Sequence, residues 1–253
     1  MNPPNSPRSA IEIAGVSKAY HPDWKSGPVS ALVDLTLQVP AGQIFGLIGP
    51  NGSGKSTALK LVAGLLRPTA GTCCVGGHLA GSAAARAMIG FLPEAPHFPG
   101  FLTAGEFLKF CGGLSGLGGS GLEQRTADVL AWAGLETVGN RRIGTFSKGM
   151  AQRLGLAQAV LHEPEVVLLD EPASGLDPLG VRELTQLLGR LKQAGTTVVL
   201  TSHFLVQMEE VCDRVALLHE GRLLREGALS ELVGESGGRL ERFYLEHVGG
   251  ASA

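Results

Sequence analysis

Residues 49–57 read Gly49-Pro50-Asn51-Gly52-Ser53-Gly54-Lys55-Ser56-Thr57, between an apolar run (Ile44, Phe45, Leu47, Ile48) and a helix-like stretch over 58–66. A strand that enters a tight glycine turn and leaves it as a helix is the context that phosphate binding needs. Glycine lets the main chain approach an anion closely, so that successive N–H groups point at one phosphate. The helix N-terminus adds partial positive charge, and Lys55 adds a full one. The Ser56 hydroxyl suits Mg2+ held across the β- and γ-phosphates of a nucleoside triphosphate. An ordinary glycine-rich strand–helix turn shares this local spelling, and residues elsewhere in the chain have to separate the two readings.

At 253 residues the chain can bury a large core, as one domain or as a domain with a lobe. A formal charge of −2 leaves no electrostatic footprint for nucleic acid, so no nucleic-acid partner is expected. Cys73, Cys74, Cys111 and Cys212 lack the paired spacing of metal ligands, and buried reduced thiols are expected. Residues 1–9 are rich in Pro, Asn and Ser and read as a disordered tail, without the apolar stretch of a signal peptide. No apolar run reaches bilayer length, and the uncharged stretch 35–54 is broken by Pro and Gly. The chain is therefore expected to be soluble by itself, with any membrane role supplied through a partner.

Short β-branched or aliphatic runs recur at 11–16, 35–39, 44–48, 72–75, 166–169, 197–201 and 215–218. Helical patterns at 58–66, 181–193 and 205–211 separate several of them, which predicts an α/β core with mostly parallel pairing. Pro40-Ala41-Gly42 joins 35–39 to 44–48 closely enough to read as a hairpin, so an antiparallel portion is expected before the phosphate loop. Between about 84 and 165 the β signal fades, and helical patterns at 104–111, 123–133 and 149–162 predict an inserted helical lobe. Inside that lobe, 112–121 reads as a flexible connection. Residues 222–226 read as the second strand of a hairpin after 215–218, and 240–246 as a short amphipathic helix.

The run Val166-Val167-Leu168-Leu169 ends in Asp170 and Glu171. A parallel strand delivers its last residues to the carboxyl edge of the sheet, where the phosphate loop also lies. Asp170 is then placed to hold Mg2+ through water, and Glu171 to accept a proton from water attacking the γ-phosphate. The plainer alternative is an acidic strand end capping the turn at Pro172. Upstream, Phe146-Ser147-Lys148-Gly149-Met150-Ala151-Gln152-Arg153 resembles the signature motif of ABC ATPases. Ser174-Gly175-Leu176-Asp177 looks like their D-loop, and Ser202-His203 like their switch histidine. These motifs stand in order across roughly residues 11–225, and the chain resembles an ABC-transporter nucleotide-binding subunit.

The resemblance implies a P-loop NTPase core of the RecA-like kind that hydrolyses ATP with Mg2+. It implies that Ser147 and Gly149 face the ATP held by a second nucleotide-binding subunit, in a homodimer or a heterodimer, with Asp177 at their interface. His203 would then hydrogen-bond the γ-phosphate. Tyr20 resembles the adenine-stacking aromatic, although a half-buried tyrosine ending its strand reads the same way, and Trp24 in the long segment 21–28 is an alternative partner for the base. The family's usual glutamine is Glu94 here, which can still ligate Mg2+ or orient water but adds negative charge beside the triphosphate. Lys148 stands where glycine is usual, and Met150 where glutamine is usual.

Leu92-Pro93-Glu94 together with Phe146-Ser147-Lys148-Gly149-Met150 resembles the bacterial export-type branch. By analogy 96–108, with Phe98 and Phe101, takes the coupling helix of a transmembrane permease subunit; a Pro-rich loop covering the lobe's own core is the plainer reading. The implied location is the cytoplasmic face of the cell membrane, through that partner. The expected boundaries are a tail at 1–9, an ABC ATPase domain at 10–240, and a C-terminal helix and tail at 241–253. A soluble ABC ATPase that remodels or scaffolds a protein complex would share every nucleotide motif. A GTPase is disfavoured, because no Asn-Lys-x-Asp motif for guanine occurs.

Overall fold

The computed structural model describes residues 9–20 and 27–249. The chain enters through β1 (Ser9–Tyr20), β2 (Val29–Pro40) and β3 (Ile44–Ile48), and β3 runs into the phosphate loop and α1 (Lys55–Val62). Next come β4 (Ala70–Val75), β5 (His78–Leu79), α2 (Ala83–Ala87) and β6 (Ile89–Leu92). Helices α3 (Ala104–Leu114), α4 (Gly119–Trp132) and α5 (Lys148–Val160) precede β7 (Val166–Leu169), α6 (Pro178–Gln193) and β8 (Thr197–Thr201). The described chain closes with α7 (Leu205–Val211), β9 (Arg214–His219), β10 (Arg222–Ala228), α8 (Leu229–Glu235) and α9 (Leu240–Val248).

One sheet has the order β10-β9-β3-β8-β7-β6 and is parallel except for β10 at its edge. The other, β2-β1-β4-β5, is antiparallel throughout. The expected α/β core with an antiparallel portion is present, but the expected hairpin between 35–39 and 44–48 is not. β2 pairs with β1, whereas β3 lies between β8 and β9 in the other sheet. Burial is the physical reason. Ile44 and Ile48 enter one apolar core while Phe45 and Leu47 enter the other, and a central strand covered on both faces satisfies that pattern. Val167 and Leu169 of β7 likewise face one core, and Val166 and Leu168 the other. Each such side chain contributes about 1.5–3 kcal/mol on burial.

Ser9, expected within the tail over 1–9, instead pairs with Pro40 at the start of β1. Residues 1–8 and Trp24 lie outside the described residues. The four cysteines are free thiols, and burial pushes the Cys73 thiol up to about 12 and raises that of Cys212 as well.

The helical lobe opens with a capping box, formed by Thr103 and Glu106 at the start of α3. Leu108, Val129, Leu130 and Leu154 then join α3, α4 and α5 to the main core. The strand-like run 89–92 inside this region forms β6, which pairs with β7 as the edge of the parallel sheet. One detail of 84–165 differs from expectation. The stretch 112–121 is mostly helix, because α3 continues to Leu114 and α4 begins at Gly119. Gly112 lies within α3, and a Cβ there would meet Leu122 Cδ1 of α4, the end of a side chain free to shift. Gly90 of β6 is tighter still, with a Cβ falling 2.0 Å from the Ala159 carbonyl oxygen of α5. Gly90→Ala is accordingly expected to destabilise the fold by about 2 kcal/mol, since backbone must move to admit it. Urea unfolding would show a lower midpoint with an unchanged slope; an unmoved midpoint would refute the close approach.

Farther along, Leu184, Leu187, Leu188 and Leu191 form one buried stripe on α6. The hairpin expected at 215–226 forms as β9–β10, and the helix expected at 240–246 forms as α9, with Leu240 and Phe243 buried in the main core.

Candidate nucleotide-binding site

Three parallel strands, β3, β7 and β8, end at one edge of the sheet. Their register sets Leu47 beside Thr201 and Leu169 beside Leu200, which brings Asp170 level with Thr201. Ser56 Oγ donates to Asp170 Oδ1 at 2.8 Å, and Thr201 Oγ1 donates to the same oxygen at 2.8 Å. Thr201 Oγ1 in turn accepts the Glu171 N–H at 2.8 Å. Asp170 Oδ1 and the buried Thr201 hydroxyl together therefore tie the phosphate loop, the acidic strand end and β8. Sequence reading missed Thr201. Its signal is a hydroxyl closing an otherwise apolar, fully buried strand, where a polar group has to find partners inside the protein.

Glu171 is buried and held at φ 47°, a left-handed conformation that costs a non-glycine residue about 1–2 kcal/mol. Its Oε2 accepts a hydrogen bond from His203 Nδ1 at 2.9 Å. The His203 side chain is 46% exposed against 10% for that of Glu171, and its ring leans on Phe204 at 4.0 Å between centroids. The imidazole thus aims the carboxylate and remains open to solvent on its other side.

The phosphate loop is clamped by its neighbours. At Gly49, φ 151°, a Cβ would lie 2.1 Å from the Leu218 carbonyl oxygen, and at Gly54, φ 102°, 2.6 Å from that of Ala31. Within this cradle the Lys55 ammonium donates to the carbonyls of Gly49 at 2.8 Å and Pro50 at 3.0 Å. Burial pulls the Lys55 pKa below its usual range, while the carboxylates of Glu171, Asp170 and Glu94 oppose that shift. Among the described residues Ser53 Oγ is buried without a hydrogen-bond partner, and Asn51 and Gly52 form the exposed tip. A buried ammonium and an orphaned hydroxyl inside a glycine cradle suit an incoming phosphate. Ser56 Oγ and the Asp170 carboxylate, with the Glu94 carboxylate in electrostatic reach of Lys55, are hard oxygen donors of the kind Mg2+ takes.

Tyr20 joins this group, with its hydroxyl 3.4 Å from Thr57 Oγ1 and Lys18 Nζ 5.3 Å from its ring centroid. Ser147, Gly149 and Asp177 do not: among the described residues none of them hydrogen-bonds the phosphate loop. Ser147 Oγ instead caps α5 by accepting the Met150 N–H at 3.2 Å, and Asp177 Oδ1 caps α6 by accepting that of Gly180 at 2.8 Å. Among the described residues a Cβ at Gly149 would meet only Leu176 Cδ2, at 3.9 Å, so none of them demands glycine there. Phe98 and Phe101 also part company. Phe98 packs edge-on against Phe107 at 5.1 Å within the lobe, whereas Phe101 is 74% exposed.

A glycine cradle opening α1 beside an acidic strand end, on a mostly parallel sheet, defines the P-loop nucleotide-binding class. The sequence profile of the ABC transporter family matches residues 32–174. An uncharacterised ABC transporter ATP-binding protein of Synechocystis sp. is 40% identical over 233 residues, covering 91% of this chain and 66% of that one. A Nod factor export ATP-binding protein of Rhizobium sp. is 36% identical over 228 residues, covering 89% and 73%. The dimeric post-hydrolysis structure of the ATP-binding cassette MJ0796, bound to ADP and Pi, superposes with a TM-score of 0.78 at 27% identity, covering 87% and 98%. The chain belongs to the ABC transporter family as an ATP-binding ATPase subunit. It spans 66% and 73% of the length of the two relatives.

Proposed function

We propose that this subunit hydrolyses ATP to drive a separate transmembrane permease, and that the cargo is exported. The relay Ser56–Asp170–Thr201–Glu171–His203 carries the hydrolytic part of this reading, because it links hydroxyls, carboxylates and an imidazole, two of whose carboxylates, Asp170 and Glu171, act on the buried ammonium of Lys55. Export is supported by likeness to a relative named for it.

In the proposed site the N–H groups of 49–57 and the Lys55 ammonium hold the phosphates, and the Tyr20 ring stacks on adenine for about 1 kcal/mol. Ser56, Asp170 (through water) and Glu94 would hold Mg2+, which when bound neutralises charge across the β- and γ-phosphate oxygens. Glu171 takes the proton of the attacking water, while His203 steadies that carboxylate and hydrogen-bonds the γ-phosphate. Ser147 and Gly149 complete the site of a second nucleotide-binding subunit, identical or related, and Asp177 lies between the two. ATP binding closes the pair, and hydrolysis reopens it and resets the membrane partner. Among the described residues no helix is long and apolar enough to cross a membrane. Attachment at the cytoplasmic face through the permease follows from this reading.

The exposed Phe101, at the entrance to the lobe, is the anchor proposed for the permease. Phe101→Ser is expected to reduce ATP-driven transport into inside-out vesicles roughly tenfold or more, as loss of an aromatic anchor does. ATP binding by the isolated subunit should stay as it is; undiminished transport would remove Phe101 from the interface. The wider reading is tested by purifying the chain with its membrane partner and measuring Mg2+-dependent hydrolysis and vesicle uptake. Hydrolysis without uptake would leave an ATPase that remodels some other assembly, and an absence of hydrolysis would overturn both.

A further inference from the structure

A cavity of about 710 Å³ opens at the edge of the parallel sheet opposite the phosphate loop. β7 and β8 begin in it, at Val166 and Thr197, whereas Asp170 and Thr201 lie at the other end of those strands. One wall is α4 of the helical lobe, with Val129 and Trp132, and another is the last turns of α6, with Leu191. The volume is in the range that takes a drug-sized molecule, and a seam between a lobe and a core is a favoured place for one. Val129, Val160, Val166 and Leu191 are buried apolar side chains, which offer water few hydrogen-bond partners.

Charge decides what kind of molecule fits. Arg125, Asp128, Glu163, Glu165 and Arg190 line the cavity. Arg125 is already committed: its guanidinium donates to the carbonyls of Leu161 at 2.9 Å and Val160 at 2.8 Å, and stands 3.4 Å from Glu163 Oε1. Arg190 Nη1 donates to the Trp132 carbonyl at 3.3 Å, and Asp128 Oδ1 accepts from the neutral amide of Gln124 at 2.8 Å. Among the described residues Asp128, Glu165 and Arg190 form no ion pair. One unpaired positive charge therefore stands against two unpaired negative ones. Asp128 and Trp132 lie four residues apart on one face of α4, so a carboxylate and a half-buried indole neighbour each other there. Both attract positive charge, the indole through its π face. We propose that this cavity binds an apolar organic cation, whose body rests on Val129 and Leu191 and whose charge is met by Asp128, Glu165 and the Trp132 ring.

The chain has two tryptophans, so Trp24→Phe leaves Trp132 as the sole tryptophan reporter in the full-length subunit. Tetraphenylphosphonium and tetraphenylborate share size and shape and differ in the sign of their charge. The phosphonium is expected to change Trp132 emission saturably in the micromolar range, and the borate to bind about tenfold more weakly. Asp128→Asn combined with Glu165→Gln is expected to weaken the phosphonium about tenfold and to erase its advantage over the borate. Both side chains are exposed, so the fold should tolerate the change. An ATP analogue with Mg2+ should not displace the phosphonium, because the phosphate loop lies at the other edge of the sheet. Equal affinity for the two ions, displacement by the nucleotide, binding that leaves Trp132 emission unchanged, or no saturation below about 1 mM would each overturn the proposal. Ser9 lines the cavity as well. Phosphonium binding that appears only after residues 1–8 are deleted would assign the cavity to that segment and overturn the proposal too.

Discussion

Glu171→Gln is expected to lower ATP turnover about 10²–10⁴-fold, the usual loss on removing a general base, while ATP binding persists. Glutamine has the shape of glutamate, and its amide oxygen can still accept the His203 Nδ1 hydrogen bond. The Glu171 N–H keeps its bond to Thr201 because that contact uses the main chain. The left-handed conformation at φ 47° strains both residues alike, so fold and site geometry should survive. What disappears is the capacity to take a proton from water. Single-turnover phosphate release measures that loss directly, and sedimentation should show a longer-lived ATP-bound dimer. Turnover at the wild-type rate would exclude Glu171 as the base.

Lys55→Ala strikes an earlier step and is expected to weaken ATP binding about a hundredfold or more, as loss of a desolvated charge from a charged complex does. The change leaves Ala58, Leu59, Leu61 and Val62 of α1 in the core, so circular dichroism should report an intact fold. Equilibrium titration with a fluorescent ATP analogue reads the loss, and unchanged affinity would remove Lys55 from phosphate binding. A pH signature accompanies it. Burial lowers the folded pKa of Lys55 below its ordinary 10.5, so between the two values the unfolded chain binds the extra proton. The stability contribution of this residue therefore rises with pH across that window. ATP affinity moves the other way, falling as the folded ammonium loses its proton. Both slopes should flatten in Lys55→Ala.

Much of the candidate site is local in the chain, which made it legible. The cradle at 49–57 needs only a glycine turn between one strand and one helix, and Asp170-Glu171 needs only to follow an apolar strand. The α6 stripe and the caps at Ser147 and Asp177 likewise depend on neighbours within a helical turn or two. The mistaken hairpin shows where that stops. The spacing between 35–39 and 44–48 suits a tight turn, but β3 finds its partners in β8 and β9, far along the chain. Residues 112–121 show the same limit: their glycine-rich spelling says flexibility, and only the packed helices α3 and α4 show that most of the stretch is helix.

The sequence by itself determined the chemistry available here: a phosphate cradle, its lysine and hydroxyl, an acidic strand end and a histidine, in the order of an ATPase cassette. Tertiary structure alone decided how they meet. It brought Ser56 and Thr201 onto one oxygen of Asp170, set Thr201 to accept the Glu171 N–H, and turned His203 onto Glu171. Residue type and short spacing set what a side chain can do. Which oxygen it reaches depends on strand register and sheet order, and those arise from non-local pairing that no short stretch of sequence encodes.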